Sequence, residues 1–498
     1  MKKFNIFIFI ALVSILSACS EDYLVQNDPD ALTSGNYWRN VEDAEAGLAT
    51  VYRNLGATDF WNITEVNAVV ENFRSDLVVP GPDSWNYPDW FSLSTFTYTA
   101  GNSRLTIYWR DAYRGLFHAS QVIEKVGEMT ADKISETDKN QIIAEAKFLR
   151  AFFHFRLLNN WENIIVIKAM PQGEDDLAKP LVSREEAWAF IEQDLTEAIP
   201  YLPEEYTSNK VGRATKGAAM AYLAKAYMYQ EKWSEAAAKF KEVMDMGVYS
   251  LVDNFLSNFD GSNENNAESI FEIQYSALKT NNIWLGHVYG KFTSPGELGG
   301  WGNIEASENL FNLMISEGQT SNSGNYDQRL YQTLFFNHAN VSVFGQTYED
   351  VFGAGATKLI FRKFMRSDVP EYDNDPYQTS MNIPQMRYAD LLLMYAEAQA
   401  MQNNNSEAIN AINMVRARSE MPAFNGTEVM QQIQHERVME LAYEGHRFFD
   451  LRRWGLLETA MQNSGKQGAE NFSFQQHAFF PIPQDEENTN PNLHNNGF

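Results

Sequence analysis

One local pattern occurs twice in matching surroundings. Ala224-Lys225-Ala226 is followed by Gln230 and then by Ser234-Glu235-Ala236. Ala396-Glu397-Ala398 is followed by Gln402 and then by Ser406-Glu407-Ala408, a constant offset of 172 positions (224 to 396, 234 to 406). Small residues at these places let two antiparallel helices approach closely, because ridge heights set the interaxial distance. A serine ahead of Glu-Ala reads as the N-cap that starts the second helix. The pattern predicts helices over Thr215–Gln230 and Ser234–Met246, and again over Tyr388–Met401 and Ser406–Arg418. A hairpin cannot bury its apolar face alone, so copies of it stack into a larger helical body.

These are the mechanics of a tetratricopeptide-type hairpin, a unit of about 34 residues; an ordinary helical bundle is the alternative, and either is mainly α. Further helices are expected at Val41–Leu55, Tyr108–Glu128, Lys139–Asn159 and Ser183–Tyr201. Ala112, Leu116, Ala119 and Ile123 fall on one helical stripe. Ser183-Arg184-Glu185-Glu186 reads as a capping box. The repeats are expected at roughly 36–70, 108–250 and 385–465. Residues 72–107 and 249–385 are rich in Pro, Gly, Asn and aromatics, with short β-like pieces such as SIFEIQYS. Loops of that length in a compact domain tend to be functional. Hydrophobic content of 44% and aromatic content of 13% supply a large core, and no low-complexity linker divides the interior. One domain over 19–498 is expected, since helical repeats run long as a single body.

The first residues read MKKFNIFIFIALVSILSACS. Lys2 and Lys3, an apolar run from Phe4 to Leu16 and small residues before Cys19 are the order of an export signal. The run is shorter than the ~20 apolar residues of a membrane span, and no later run approaches one. Cys19 is the single cysteine, so it has no intramolecular disulfide partner. The segment resembles a bacterial lipoprotein signal, with residues 1–18 removed and lipid carried on Cys19. Each buried methylene contributes ~0.8 kcal/mol, and stable anchoring takes more than one chain. Ser20-Glu21-Asp22 follows, similar to the surface-export signal of Bacteroidetes lipoproteins. Without Lys2 and Lys3, 37 basic residues face 65 acidic ones, a charge of −28. Such a chain repels phosphate backbones, so nucleic acid is not an expected partner.

No phosphate loop, His-Glu-x-x-His or nucleophile elbow is present. His435 and His446 flank Glu436, Glu440 and Glu444 on one helical face. The nearby Arg437, Arg447, Arg452 and Arg453 are expected to pair with those carboxylates, which favours a structural ion-pair network over a metal site. No cofactor is expected, although the Asp- and Asn-rich loops would permit a structural Ca²⁺. Trp109, Trp161, Trp188 and Trp233 lie on or beside helices and read as core. Trp85, Trp90, Trp284 and Trp301 lie in the loop regions, with Tyr87 and Tyr289 close by. Rings in such loops either pin the loops to the body or stack on sugar faces. A stack that removes ~100 Å² of apolar surface contributes roughly 2.5 kcal/mol. Two or three stacks, less the cost of immobilising the ligand, give a Kd on the order of 10⁻⁵ to 10⁻³ M. Arg74, Asp76, Asn86 and Asn303 are candidate hydrogen-bonding groups for hydroxyls.

The motifs AINMVRARSEMP, HERVMELAYEGHRFFDLRRWG and FFPIPQDEENTNPNLHNNGF, with NYWRNVEDAEAGLATVYRNL and AEAKFLRAFFHFRLLNNW upstream, resemble the SusD/RagB family of Bacteroidetes outer-membrane lipoproteins. The resemblance covers nearly the whole mature chain. It implies about four tetratricopeptide-type units packed against an irregular loop-rich part. It implies a surface protein that binds a nutrient, usually a glycan and sometimes a peptide, without cleaving it. A SusC-like TonB-dependent transporter, over which such proteins sit as a lid, is the implied partner. The family's loop-borne aromatic arc corresponds to the Trp85–Trp90 and Trp284–Trp301 segments by location only. EGHRFFDLRRWG is implied to stabilise the fold. A repeat scaffold that holds a peptide or protein is the competing function; a glycoside hydrolase has only generic acids in its favour.

Overall fold

The computed structural model describes residues 37–56, 69–173, 176–276, 286–365 and 379–495. Cys19 with its leader, and Trp284, lie outside the described residues.

Ten helices carry the body: α1 (Val41–Gly56), α2 (Ser103–Glu128), α3 (Glu136–Asn160), α4 (Arg184–Ala198), α5 (Lys216–Met228), α6 (Trp233–Asp245), α7 (Tyr388–Ala400), α8 (Asn405–Arg418), α9 (Val429–Leu441) and α10 (Arg447–Arg453). From α1 to α8 each helix packs on the next, giving four successive pairs. Helix α1 buries Ala44, Leu48, Val51 and Leu55 on one stripe, with Glu42 and Asp43 in its first turn and Arg53 in its last, charges that complement the helix dipole. Asn102, Ser135, Ser183 and Thr215 cap α2 to α5 through their side-chain oxygens. The capping box expected at Ser183 closes on one side. Ser183 accepts from the Glu186 N–H, while the Glu186 carboxylate pairs with Lys168 at 3.0 Å. Gly115 in α2 makes room for Phe153 of α3, since a Cβ there would stand 2.5 Å from the ring.

The predicted repeat is visible in backbone detail. Helices α5 and α7 begin and end 172 positions apart. Glu231 and Asn403 occupy the same left-handed turn position, at φ 59° and 63°. Lys232 N–H bonds Tyr227 O at 3.0 Å, and Asn404 N–H bonds Gln399 O at 2.9 Å. The amides of Gln230 and Gln402 each donate at 2.9 Å to the carbonyl four residues earlier. Ser234 and Ser406 are not N-caps. Helices α6 and α8 begin at Trp233 and Asn405, so each serine is the second helical residue. The tight turn closes the hairpin through its backbone and starts the second helix earlier.

Between α6 and α7 the chain leaves the body and returns. Of the strands, β1 (Val78–Pro80) pairs with β3 (Ile304–Ala306), β2 (Ser269–Ile273) with β8 (Ile383–Arg387), β4 (Leu334–Phe335) with β7 (Ile360–Phe361), and β5 (Ser342–Val343) with β6 (Gln346–Thr347), all antiparallel. The SIFEIQYS piece supplies β2. With β8 it closes the excursion at its neck, where Tyr388 N–H bonds Glu268 O at 2.8 Å. The regions expected as loops also hold short helices, including Pro88–Thr95, Tyr289–Thr293 and Gln328–Thr333. Trp109, Trp161 and Trp188 are buried and Trp233 packs against the core.

The charged C-terminal motif is an ion-pair network, with partners other than those expected. Glu436 pairs with Arg329 at 2.7 Å and Arg416 at 2.6 Å. Glu440 meets Arg329, Arg387 and Arg418 at 3.3, 2.9 and 2.6 Å. Glu444, expected on the same helical face, lies beyond the end of α9, where Ala442 and Tyr443 leave helical geometry, and it meets Arg387 and Lys363, both at 2.8 Å. Arg437 points away from that ladder, to Asp390 at 2.8 Å and Asp450 at 2.7 Å. A residue next to Glu436 lies about 100° around the helix and faces a different neighbour. Arg453 joins Asp450 and Glu397, Arg447 joins Asp76, and Arg452 donates to the carbonyls of Asn159 and Ala478. His435 lies 3.3 Å from Glu317 and His446 lies 4.0 Å from Asp390. Among the described residues, no three His, Cys, Asp or Glu side chains are grouped to hold a metal ion.

Glu440→Gln should destabilise the protein by about 3–5 kcal/mol, because it leaves buried guanidinium charge uncompensated. Guanidinium denaturation measures this, and a loss below about 1 kcal/mol would show the ladder to be dispensable. Burial pushes His154 down to about 3, and His287 and His446 down to about 4. Unfolded histidine titrates near ~6.5, so the unfolded state takes up these protons first. Stability is therefore full above about pH 6.5 and falls as the pH drops toward about 4. Each histidine contributes up to roughly 3 kcal/mol of that loss. Denaturation midpoints should decrease over that interval, and a flat profile would contradict the burial of neutral imidazoles.

Candidate functional site

Two excursions from the helical body meet edge to edge. In the β1–β3 pair, Val78 is opposite Ala306 and Pro80 is opposite Ile304. The contact continues where Gly81 N–H donates to Asn303 O at 2.7 Å and the Ser84 hydroxyl donates to the same carbonyl. Gly81 is required there, because a Cβ would lie 2.0 Å from Gly302 O. Gly302 itself takes φ +61°, which glycine adopts at least cost.

Residues Pro82–Asn86 form a 3₁₀ turn, and Pro88 opens the short helix Pro88–Thr95. Both prolines occupy first helical positions, where a fixed φ is already correct. They bracket Trp85, Asn86 and Tyr87, which all face solvent; Trp85 is 56% exposed and Tyr87 43%. Each exposed ring is backed by another. Tyr87 stacks on Trp90 with centroids 4.8 Å apart and planes at 22°. Trp85 lies against Phe91 at 4.3 Å and 32°. Behind them, Trp90 meets Phe292 edge-on at 4.9 Å, and Phe292 meets the half-buried Trp301 at 5.5 Å. Tyr87, Trp90, Phe292 and Trp301 thus form a continuous line of rings across both excursions. Such pairs contribute about 0.5–1.5 kcal/mol each beyond area burial. A ring held on one face keeps its other face available at small entropic cost.

Five of the residues expected to touch ligand are instead internal. Trp90 is 2% exposed and is the floor of the platform. Tyr289 is turned inward, against a small cavity of about 70 Å³ lined both by charged groups such as Glu71, Arg156 and Lys225 and by rings such as Phe152 and Phe449. Arg74 is fully buried, with its guanidinium 3.6 Å from the Phe480 ring centroid and 4.1 Å from that of Phe448. It donates to Asn160 Oδ1 at 2.5 Å, and burial lowers its pKa to about 10. Asp76 accepts two hydrogen bonds from Arg447, both at 2.9 Å, and Ser307 donates to its carbonyl at 2.8 Å. Asn303 is buried and contributes the carbonyl that joins the excursions. These groups are buried and tie loops to body, so none of them is presented to a ligand at the surface. The candidate surface reduces to Trp85, Asn86, Tyr87 and the accessible part of Trp301.

Phe91 and Phe292 are the supporting rings that sequence reasoning missed. Phe91 was adjacent to the candidates. Nothing in the local pattern distinguishes Phe292 from other core phenylalanines, because its role comes from a contact across about 200 residues. A separate cleft of about 400 Å³ lies between the end of α1, Val211–Arg213 and Glu272–Ser276, and none of the expected residues line it.

Two family models match the chain. The SusD family model covers residues 267–498, and a model described as starch-binding, associating with outer membrane, covers residues 23–228. A SusD-like protein of Bacteroides ovatus is 26% identical over 91% of this chain and 82% of its own. SusD-like protein P25 of Formosa agariphila is 26% identical over 99% of this chain and 98% of its own. Among solved structures, a SusD superfamily protein of Bacteroides vulgatus superposes with a TM-score of 0.82 at 27% identity, over 92% of this chain and 99% of that one. A laminarin-binding SusD-like protein superposes with a TM-score of 0.77 at 26% identity, over 93% of this chain and 100% of that one. The matched segments take in both halves of the helical body and both excursions that meet at the aromatic platform: the chain belongs to the SusD/RagB family.

Proposed function

We propose that this protein is a cell-surface lipoprotein that binds an oligosaccharide or polysaccharide and passes it, uncleaved, to a TonB-dependent outer-membrane transporter. The observation that carries the reading is the pair of solvent-facing rings, Trp85 and Tyr87, each supported from behind by a second ring. A supported aromatic face suits the flat apolar side of a pyranose, and Asn86 between them offers an amide that both donates and accepts. Family membership supports the same ligand class, since one similar structure is described as laminarin-binding and another as a carbohydrate-binding protein. Cys19, after its leader, is the proposed lipid attachment point, and the transporter is proposed from the resemblance.

Protein lacking residues 1–19 should bind laminarin or starch in affinity electrophoresis or calorimetry, without releasing reducing ends. Trp85→Ala with Tyr87→Ala should then weaken binding by about two orders of magnitude, at roughly 2.5 kcal/mol per ring less what the remaining contacts retain. Each substitution also removes the contact with the ring behind it, so stability should fall by about 1–3 kcal/mol, which leaves the protein folded under binding conditions. Retained affinity in the double variant, or turnover by pure protein, would overturn the reading. Cys19→Ser protein should leave the membrane fraction, and its persistence there would refute lipid anchoring at that residue.

A further inference from the structure

We infer that the platform selects uncharged glycans over sulfated or uronate-bearing ones, with Asp83 as the exposed charge that enforces the choice. The inference rests on the glycan-binding reading and specifies its substrate class. Along 78–92 and 286–306 the acids are Asp83, Asp89, Glu297 and Glu305, and Lys291 is the sole lysine or arginine. Lys291 is buried and donates to Gly299 O at 2.6 Å. Lys358, brought in from outside these segments, is held by Glu297 at 2.5 Å. Arg104, at the start of α2, is turned onto the Ser103 hydroxyl at 3.0 and 3.1 Å. Asp89 accepts from Ser103 N–H at 3.2 Å. Asp83 is exposed two residues before Trp85, on the same 3₁₀ turn.

Recognition of a sulfate or carboxylate takes a cation that offsets the lost hydration of the anion. Among the described residues, Lys291 is thus committed to a carbonyl, and of the two cations brought in from outside these segments Lys358 is committed to a carboxylate and Arg104 to a hydroxyl. The charge of −28 left once Lys2 and Lys3 are gone adds repulsion at longer range. Stacking of a neutral sugar bears neither cost and is insensitive to salt.

The test compares laminarin and starch with alginate and carrageenan, on protein lacking residues 1–19, at about 50 mM and about 500 mM salt. A neutral polymer should bind with a Kd that changes less than about twofold between the two, because screening acts on charge pairs and not on stacking. Alginate and carrageenan should bind at least about tenfold more weakly at low salt and recover part of that at high salt. Asp83→Lys should raise the anionic-to-neutral affinity ratio by about tenfold, and Asp83→Asn by less. If alginate or carrageenan binds as tightly as the neutral polymers, or if Asp83→Lys leaves the ratio unmoved, charge selection is wrong while glycan binding stands. If no polymer of either class binds, the glycan-binding reading itself fails.

Discussion

Three carboxylates hold the two parts of this molecule together: Glu436 and Glu440 on successive turns of α9, and Glu444 in the turn just beyond its end. Their partners come from separate stretches of chain. Arg329 belongs to the short helix Gln328–Thr333, Lys363 follows β7, Arg387 ends β8, and Arg416 and Arg418 end α8. Glu268, at the root of β2, shares Arg387 and Arg418. All of these charges are nearly or fully inaccessible to water. Burying so many ions is expensive, and a hydrophobic replacement is often as stable. What the ladder adds is register: each guanidinium satisfies two or three acids at once, so one arrangement of the excursion against the helices satisfies every charge. The burial of Glu440 is opposed by Arg418, Arg387 and Arg329, which keep its carboxyl well below the usual range.

That fixed arrangement is what allows a loop-borne surface to be rigid. Arg447 grips Asp76, and Asp76 lies two residues before β1, which pairs with β3 and leads into the turn that bears Trp85 and Tyr87. The path from the helical body to the open rings is therefore short and hydrogen-bonded throughout. Trp90 and Phe292 complete it with apolar contact. The exposed rings are preorganised, so ligand binding orders little protein and stacking energy is not spent on immobilising the loop.

The helical body was legible in the sequence to within a few residues, because its repeat is local: small residues, a glutamine and a turn at fixed spacing, all within about 25 positions. Eight expected helices correspond to the observed α1 to α8, the largest difference being the start of α2 at Ser103 rather than Tyr108. The misreadings came where long-range contacts decide. Arg437 sits beside Glu436 in sequence and on another face in space. Arg74, Asp76 and Asn303 have the chemistry of sugar ligands, and their hydrogen bonds go instead to Asn160, Arg447, Gly81 and Ser84. Trp90 and Trp85, five positions apart in one loop, were equivalent as sequence; the packing of Phe292 against the first made one a floor and the other a surface. Polar and aromatic residues in a loop identify a region, and burial then divides it into support and contact.

The helical repeat body and the buried charge ladder together present a supported aromatic platform to solvent. The most direct measurement is a crystal structure with an oligosaccharide cut from whichever neutral glycan binds most tightly. The account predicts pyranose rings on the open faces of Trp85 and Tyr87, with Asn86 in hydrogen-bonding contact and Trp90 unmoved beneath. Sugar density in the cleft beside Val211–Arg213, with both rings bare, would contradict it.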